Sequence, residues 1–233
     1  MNRPSSIRRA LSGLATSALL ATLVAVALPA SAAAAVCTPT GFIRDGIDLT
    51  AAKINPPGTV TGDVDATGCN IGLYFGPASR GKVSKAIVHG ANYYGIVNNG
   101  GNVDVKKSSI HDIGESPLNG SQHGIGIAFV QDTLGARGEI SDNKVFNYQK
   151  GGIVVRGLGN KSEIKDNEVT GAGPVVFIAQ NGIQVSDGAK ANVRHNKVTG
   201  NSYTGAGLVS SAGILVFGGC AVAFVGGLLA KPR

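Results

Sequence analysis

The chain has 233 residues with 35 Gly, 9 Pro, 43% hydrophobic residues and a formal net charge of +7. This length allows one domain, with or without an export segment, and the composition excludes a collagen and a disordered chain. Aromatic residues make up only 5% and Trp is absent, so a core has to be built from many stacked Val and Ile side chains.

The first 35 residues have the pattern of a signal peptide. Arg3, Arg8 and Arg9 form a positive n-region, residues 10–28 an apolar h-region, and small residues before Val36 offer cleavage sites. We therefore predict that residues 1–35 are a signal peptide and that the protein is secreted. A membrane anchor formed by the same residues, which would keep the protein at the cell surface, is the alternative.

The predicted leader holds three of the 21 Lys and Arg residues and none of the 14 Asp and Glu residues, so the remainder carries +4. A mild positive charge suits an acidic polymer or an anionic cell surface. No basic patch interleaved with aromatic residues is present, and we do not expect a nucleic-acid partner.

All three cysteines, Cys37, Cys69 and Cys220, follow the predicted leader. Export places them in an oxidising compartment, which favours a Cys37–Cys69 disulfide and leaves Cys220 as a free thiol.

A repeat of two short elements begins at residue 72 and predicts the architecture. The first element, Gly-apolar-x-apolar, opens at Gly72, Gly95, Gly124, Gly152, Gly182 and Gly213, with one polar residue in the second copy. The second element, apolar-x-x-Asn-x-apolar, follows each of the first five, with its Asn at Asn143, Asn167 and Asn196 in the full copies. The alternation marks strands with one buried face, and such repeats bury that face only by stacking.

Stacking aligns equivalent residues of neighbouring coils, about 4.8 Å apart, into columns. One predicted aliphatic column contains Val83, Val105, Ile140, Ile164 and Val193. A second contains Leu73, Ile96, Ile125, Ile153, Ile183 and Ile214. Asn143, Asn167 and Asn196 should form a ladder at a turn. Two outward ladders are expected to be solvated and partly charge-paired: Lys85, Lys107, Asp142, Asp166 and His195, and Ile87, Ser109, Lys144, Glu168 and Lys197.

This pattern resembles the right-handed parallel β-helix repeat proteins, the superfamily that contains pectate lyases and polygalacturonases. The segments 37–46, 122–124 and 179–183 also resemble a family of uncharacterised secreted bacterial β-helix proteins. The predicted fold class is all-β, a single-stranded right-handed parallel β-helix of about five to six coils. We assign residues 36–71 to an N-terminal cap and first coil, 72–217 to the repeats, and 218–233 to an apolar C-terminal cap or tail. An ordinary β-sandwich competes, but it does not explain why Gly and Asn recur in phase.

Three connections are long, at residues 111–123, 170–181 and 199–212, and should emerge at one corner of the stack. We expect these connections to form the wall of a groove beside the sheet built from the Gly-apolar-x-apolar strands. The alternative is that they are insertions that the fold tolerates and that have no function.

The first long connection carries the residues with the most chemistry. We predict His111, Asp112 and His123 as catalytic candidates, since imidazoles beside carboxylates can move a proton in uronate lysis or epimerisation. The predicted substrate-binding residues are His89, Glu115, Gln122, Lys150 and Arg156. His89 and His111 occupy equivalent positions, and Lys150 and Arg156 could neutralise a substrate carboxylate. The alternative is that these corner residues only hydrogen-bond the backbone.

The signatures of the related enzymes are missing, including the Asp-Asp pair of polygalacturonases and the Arg-x-Pro segment of pectate lyases. Asp63 and Asp65 share a face of one short strand but are too few for calcium, and no zinc-like spacing exists. We therefore predict no metal and no cofactor, with calcium unsupported.

These observations leave two hypotheses about function. The first is a secreted monomer that binds or acts on an extracellular polysaccharide or cell-surface polymer, as a uronate lyase or epimerase would. The second, favoured by the missing signatures, is a non-catalytic cell-surface, adhesion or structural module.

The C-terminal run of 19 uncharged residues, 212–230, is near the length of a membrane-spanning helix. Gly213 to Val216 nevertheless fall in phase with the repeat. We predict that 213–217 form the last strand and that the remainder is an apolar cap, with a membrane anchor at 212–230 as the alternative.

Overall fold

The computed structural model describes residues 36–131, 135–219 and 221–225, the last five by their backbone only. Residues 1–35 and Cys220 lie outside this part of the chain, so the signal peptide and the free thiol stay predictions.

The described residues form strands and turns and contain no helix. The strands are β1 (Thr38–Arg44), β2 (Ile47–Ile54), β3 (Thr59–Asp65), β4 (Ile71–Phe75), β5 (Arg80–His89), β6 (Tyr94–Asn98), β7 (Asn102–Lys106), β8 (Ser109–Ile113), β9 (Ile125–Val130), β10 (Arg137–Ser141), β11 (Lys144–Tyr148), β12 (Gly151–Arg156), β13 (Lys161–Lys165), β14 (Glu168–Val175), β15 (Asn181–Ser186), β16 (Lys190–Arg194), β17 (Lys197–Tyr203), β18 (Ala212–Phe217) and β19 (Ala221–Val225).

The strands stack into a parallel β-helix of about five turns. One sheet, here called sheet A, has the order β1-β2-β4-β6-β9-β12-β15-β18. The other, sheet B, contains two rows, β7-β10-β13-β16-β19 and β8-β11-β14-β17, which the long strand β5 joins. A turn of the helix therefore runs from one strand of sheet A through one strand in each row of sheet B.

The first predicted aliphatic column is confirmed in full. Its members are register partners from coil to coil: Val83 with Val105, Val105 with Ile140, Ile140 with Ile164, and Ile164 with Val193. All five side chains are at most 3% exposed. Val60 continues the column as the partner of Val83.

The second column is confirmed except in its third coil, where Ile125 was the wrong residue. Ile127 pairs with Ile96 and with Ile153, whereas Ile125 pairs with Tyr94 at the strand entry. The segment reads Gly-Ile-Gly-Ile, and a shift of two residues keeps every side chain on the same face. The alternation alone therefore could not distinguish Ile125 from Ile127.

The glycine of each repeat is required because neighbouring coils approach too closely for a side chain. A Cβ on Gly152 would lie 2.6 Å from the carbonyl oxygen of Gly182 and also against Val169. The same contact recurs at Gly72, Gly95, Gly126 and Gly182. Gly126, rather than the predicted Gly124, is thus the opening glycine of the third coil.

Gly152→Ala is expected to destabilise the protein by about 1–3 kcal/mol, since the added methyl group meets backbone that cannot move alone. Gly151→Ala is the matched control, because its Cβ would come no closer than 3.1 Å to a neighbour, the tip of the Val154 side chain. Chemical denaturation of both variants measures the difference. Equal midpoints would contradict the close approach at Gly152.

The Asn ladder is present, with hydrogen bonds that run along the stack. Asn143 Nδ2 donates to Asn167 Oδ1 (3.0 Å), and Asn167 Nδ2 donates to Asn196 Oδ1 (2.9 Å). Ser108 extends the ladder by donating its backbone N–H to Asn143 Oδ1. The left-handed residue of each corner is the one before the Asn, with φ between 52° and 57° at Lys107, Asp142, Asp166 and His195, and 55° at Lys85. The five residues of this predicted outward ladder therefore also adopt the left-handed conformation with which the chain turns at each corner.

An antiparallel hairpin of β1 and β2 precedes the repeats. The predicted Cys37–Cys69 disulfide is confirmed and ties the start of this hairpin to the residues just before β4, with Cα atoms 5.3 Å apart. Phe42 packs on the outer face of sheet A, with its ring 5.9 Å from Tyr74 and 6.0 Å from Tyr94. The hairpin tip therefore covers part of the sheet face opposite the core.

The stack continues beyond the residue predicted to end it. β18 pairs with β15 in the expected phase, and β19 then pairs with β16. The prediction that residues 213–217 form the last strand was wrong, since β18 ends at Phe217 but β19 follows it in sheet B. In the described part of the chain, no helix is long and apolar enough to cross a membrane.

Candidate functional site

Three long connections lie at the corner where the second row of sheet B returns to sheet A, as predicted. They span 114–124, 176–180 and 204–211, because β8, β14 and β17 are longer than expected. His111 and Asp112 consequently lie inside β8 and not in a loop. The loops contact one another: Thr204 donates its backbone N–H to Val175 O (2.9 Å), and Gly120 lies against the backbone of Phe177.

A buried glutamine, Gln149, which the sequence analysis did not single out, holds the first loop in place. Gln149 Oε1 accepts the backbone N–H groups of Glu115 (3.1 Å) and Asn119 (3.0 Å). Gln149 Nε2 donates to Ser121 O (2.8 Å). Gln180, on the next coil, donates to Tyr148 O (2.7 Å) and accepts from Ala172 N. Hydrogen bonds from one side chain, Gln149, therefore hold the first loop at Glu115, Asn119 and Ser121.

A cleft of about 240 Å³ lies on the outer face of sheet A, and we call it the sheet A cleft. Arg44 and Asp45 of the hairpin tip line it on one side, and Gln122 and His123 of the first loop line it on another. Its other lining residues are Tyr93, Tyr94, Ile125, Val130, Lys150, Gly151, Val154, Arg156 and Gln184. The cleft thus joins parts of the chain that are far apart in sequence.

His123 is the imidazole of the sheet A cleft. Its Nε2 lies 2.7 Å from Glu115 Oε1, and its ring stacks on Tyr93 with centroids 4.0 Å apart. Because an ionised carboxylate only accepts, Nε2 carries the proton in this contact, and Nδ1 is the acceptor of the neutral ring. Only 14% of the side chain is exposed.

The cations of this cleft differ in how they are neutralised. Arg156 Nε lies 2.6 Å from Asp187 Oδ2, so its charge is paired. Lys150 Nζ donates to the carbonyl oxygen of Ala179 (3.1 Å), and no ion pair of Lys150 with a carboxylate is present among the described residues. Burial lowers the pKa of Lys150. An unpaired ammonium in a partly desolvated position favours an anionic ligand.

The hydroxyl groups of Tyr93 and Tyr94 are in a setting that keeps them protonated. Burial raises the pKa of Tyr93, and the charges of Asp45 and Glu115 act in the same direction. Burial also raises the pKa of Tyr94, against the opposing effect of Arg44. Both side chains can therefore donate hydrogen bonds in the cleft at neutral pH.

The other predicted residues lie on the outer face of sheet B. His89 and His111 are register partners, as expected, with parallel rings 5.4 Å apart, and Phe146 stacks on His111 at 4.8 Å. His89 Nε2 lies 3.1 Å from Asp63 Oδ1, and His111 Nδ1 lies 2.7 Å from Asp112 Oδ2.

Asp112 is also held by Asn147, its neighbour on the next coil. Burial raises the pKa of Asp112, but the hydrogen bonds from Asn147 and His111 outweigh burial and lower the pKa overall. Asp112 is therefore an anion at neutral pH and not a proton donor.

The predicted site is thus divided between two surfaces. Gln122, His123, Lys150 and Arg156 line the sheet A cleft. Asp112 and Glu115 line a separate cleft of about 460 Å³, together with Thr67 and Asn147. Glu115 links the two surfaces through its contact with His123. The catalytic and substrate-binding roles of all these residues stay predictions.

The described residues contain no group of three or more His, Cys, Asp or Glu side chains that could hold a metal ion.

These features define a parallel β-helix with a polar cleft on the outer face of one sheet. Residues 54–227 match the model of the family described as "Right handed beta helix region". The chain belongs to this family, which confirms the predicted all-β right-handed β-helix. No curated protein and no solved structure matches the chain.

Proposed function

We propose that the protein is secreted or displayed at the cell surface and binds an extracellular acidic polysaccharide in the sheet A cleft. The observation that carries the proposal is Lys150, a partly buried ammonium with no carboxylate partner among the described residues. A carboxylate of a uronate residue would neutralise Lys150 and make a charge-assisted hydrogen bond. Tyr93, Gln122 and Gln184 add groups that can hydrogen-bond sugar hydroxyls.

The same cleft could support uronate lysis or epimerisation. Both reactions begin by removing the proton on the carbon next to the carboxylate, and neutralising that carboxylate makes the proton more acidic. His123, oriented by Glu115, is the candidate base. In lysis, the electron pair forms a double bond as the glycosidic oxygen leaves, and that oxygen takes a proton from Tyr93 or Tyr94.

Binding without turnover is the second candidate, and the packing of His123 favours it. The ring is covered on one face by Tyr93, and its Nε2 is occupied by Glu115. This arrangement also suits a rigid binding surface in a non-catalytic cell-surface or adhesion module.

Lys150→Gln is expected to weaken the binding of short galacturonate oligomers by about 10- to 100-fold, the value of one charge-assisted hydrogen bond. Lys144→Gln is the matched control, since it removes one exposed positive charge from sheet B, away from the cleft. Isothermal titration calorimetry measures both. Unchanged affinity in Lys150→Gln would reject the cleft as the binding site.

The catalytic and non-catalytic forms of the proposal are separated by ultraviolet absorbance. Lysis of pectate, alginate or a glycosaminoglycan creates an absorbing double bond, and His123→Ala should abolish it while leaving the circular dichroism unchanged. Epimerisation is followed by NMR of the polymer. Binding without either product identifies a non-catalytic module.

A further inference from the structure

A second charged surface lies on sheet B, where each strand of the first row begins. Its residues are register partners from coil to coil: Arg80, Asn102, Arg137, Lys161 and Lys190. We call this set the basic ladder. All five side chains are exposed. Four cations thus follow the axis of the helix at the strand spacing of about 4.8 Å, with Asn102 as the one neutral rung.

The acidic residues beside the basic ladder are already neutralised by another set of cations. Two residues further along the same strands, Glu139 contacts Lys106 (2.7 Å) and Lys165 (2.9 Å). Hydrogen bonds from these lysines lower the pKa of Glu139 to about 2. Glu163 is in turn paired with Arg194.

No ion pair is present between a described carboxylate and Arg80, Arg137, Lys161 or Lys190. Within the described part of the chain, the basic ladder is therefore a stripe of positive charge without ion pairs, next to a column of carboxylates that are paired.

Such a stripe is unfavourable for the fold itself. Like charges directly opposite one another on neighbouring strands repel and destabilise a sheet. The neighbouring column also carries charges of one sign, at Asp104, Glu139 and Glu163, but ion pairs with Lys106, Lys165 and Arg194 offset their repulsion. Among the described residues, no such ion pair offsets the repulsion between consecutive Arg137, Lys161 and Lys190. A bound polyanion would remove the repulsion.

We infer that the basic ladder binds a linear acidic polysaccharide along the axis of the β-helix. One pyranose residue is about as long as the ~4.8 Å strand spacing, so a polymer with one carboxylate per residue brings an anion near each rung. Asn102 can hydrogen-bond a sugar hydroxyl at the neutral rung. Beside Arg80 and Asn102, a shallow depression of about 420 Å³ also includes Lys82, Thr59 and Asp104. The carboxylate of Asp104 is paired with Lys106, at 3.6 Å.

Nucleic acid fits the basic ladder less well. Phosphates on one strand of a duplex follow at about 3.4 Å along the axis, which does not match the rungs. Single-stranded nucleic acid needs aromatic platforms for its bases, and neither the ladder nor the column that contains Asp104, Glu139 and Glu163 has an aromatic residue.

The inference is tested with the Arg137→Gln/Lys161→Gln double variant of the full chain and with polygalacturonate. We expect its affinity for the long polymer to fall at least tenfold and its dependence on salt to become shallower. Its melting temperature at low salt should be unchanged or higher, because two repelling charges are removed. The Lys53→Gln/Lys144→Gln variant is the control, since it removes two exposed charges outside the ladder and the sheet A cleft.

Three results would overturn the inference. Unchanged affinity in the double variant excludes the ladder as a binding surface. An equal loss in the control variant shows a response to net charge alone. Tighter binding of single-stranded poly(dT) than of polygalacturonate, lost in the same double variant, assigns the ladder to nucleic acid.

The proposals for the basic ladder and for the sheet A cleft can be rejected independently of each other. Galacturonate monomer and dimer are too short to span several rungs, so the ladder variant should bind them normally. Lys150→Gln should lose these short ligands and keep most of its affinity for the long polymer.

Discussion

Ile164→Asp is expected to unfold the protein at room temperature. Ile164 is fully buried and lies in the middle of the first aliphatic column, between Ile140 and Val193. An Asp at this position would place an unpaired carboxylate among aliphatic side chains, which costs more than about 4 kcal/mol, most of the stability of a typical domain. Loss of the β-sheet circular dichroism and of a cooperative thermal transition would measure the effect.

Glu168→Ala, four residues away, is the control. Glu168 is 43% exposed and pairs with Lys197 (2.7 Å) on the outer surface. An exposed ion pair of this kind contributes about 0–1 kcal/mol, so the variant should melt close to the parent protein. Similar thermal shifts in the two variants would contradict the inward and outward assignment of this coil.

The repeat made the core predictable from sequence. Ile164 could be placed because the spacing between Gly and Asn returned in each coil, and because equivalent positions must stack when each coil buries one face. The same argument predicts that His89 lies beside His111, and their rings stack 5.4 Å apart. For the first aliphatic column, register along the axis follows from the repeat and needs no knowledge of the loops.

The error at Ile125 shows where this reasoning stops. Gly124 and Gly126 both open a Gly-apolar pair, and both placements bury the same face. The structure selects Gly126 because only there does the backbone of Gly152 come within contact of the missing Cβ. A choice between registers two residues apart depends on the close contact between coils, which the hydrophobic pattern does not contain.

The candidate site was predicted only in part, for a related reason. Gln122, His123, Lys150 and Arg156 belong to the repeats and their loops, and they line one cleft. Arg44 and Asp45 belong to the hairpin, which does not follow the repeat, so no periodicity could bring them to the same cleft.

The sequence analysis assigns His111 and His123 to one candidate site because the two residues are close along the chain. The strand β8 and the loop that follows carry the chain from sheet B around a corner to sheet A, and this separates the two imidazoles. The stacked pair of His89 and His111 is therefore distinct from the cleft that contains His123.

The position of the basic ladder follows from the first aliphatic column. Arg80, Arg137, Lys161 and Lys190 precede the second element of each repeat at a fixed distance of three residues from the buried Val83, Ile140, Ile164 and Val193. Because these residues are register partners on neighbouring strands, their charges form a stripe along the sheet.

The Asn ladder should be the part of the stack most sensitive to a small polar change. Asn167 is 2% exposed, and its side chain makes four hydrogen bonds. Its Nδ2 donates to Ile140 O (2.9 Å) and to Asn196 Oδ1 (2.9 Å). Its Oδ1 accepts from the backbone N–H of Asn143 (3.0 Å) and from Asn143 Nδ2 (3.0 Å).

Asn167→Ala is expected to lower the free energy of unfolding by about 3–5 kcal/mol. The change removes the acceptor of the buried Asn143 N–H, which costs about 1–3 kcal/mol. It also removes one hydrogen bond each from Asn143 Nδ2, Asn196 Oδ1 and Ile140 O, at about 0.5–1.5 kcal/mol for each bond. The loss exceeds that of an ordinary hydrogen bond because one side chain serves the coils on both sides. Denaturation by urea, analysed with a common slope, gives the difference from the parent protein.

Asn192→Ala, in strand β16 of the next coil, is the matched control. The Oδ1 of Asn192 is buried without a hydrogen-bond partner among the described residues, so its removal relieves an unsatisfied group. We expect a change within about 0.5 kcal/mol of the parent protein. If Asn167→Ala destabilised the protein no more than Asn192→Ala, the ladder would add nothing to the stability of the stack. Aliphatic packing alone would then hold the coils together.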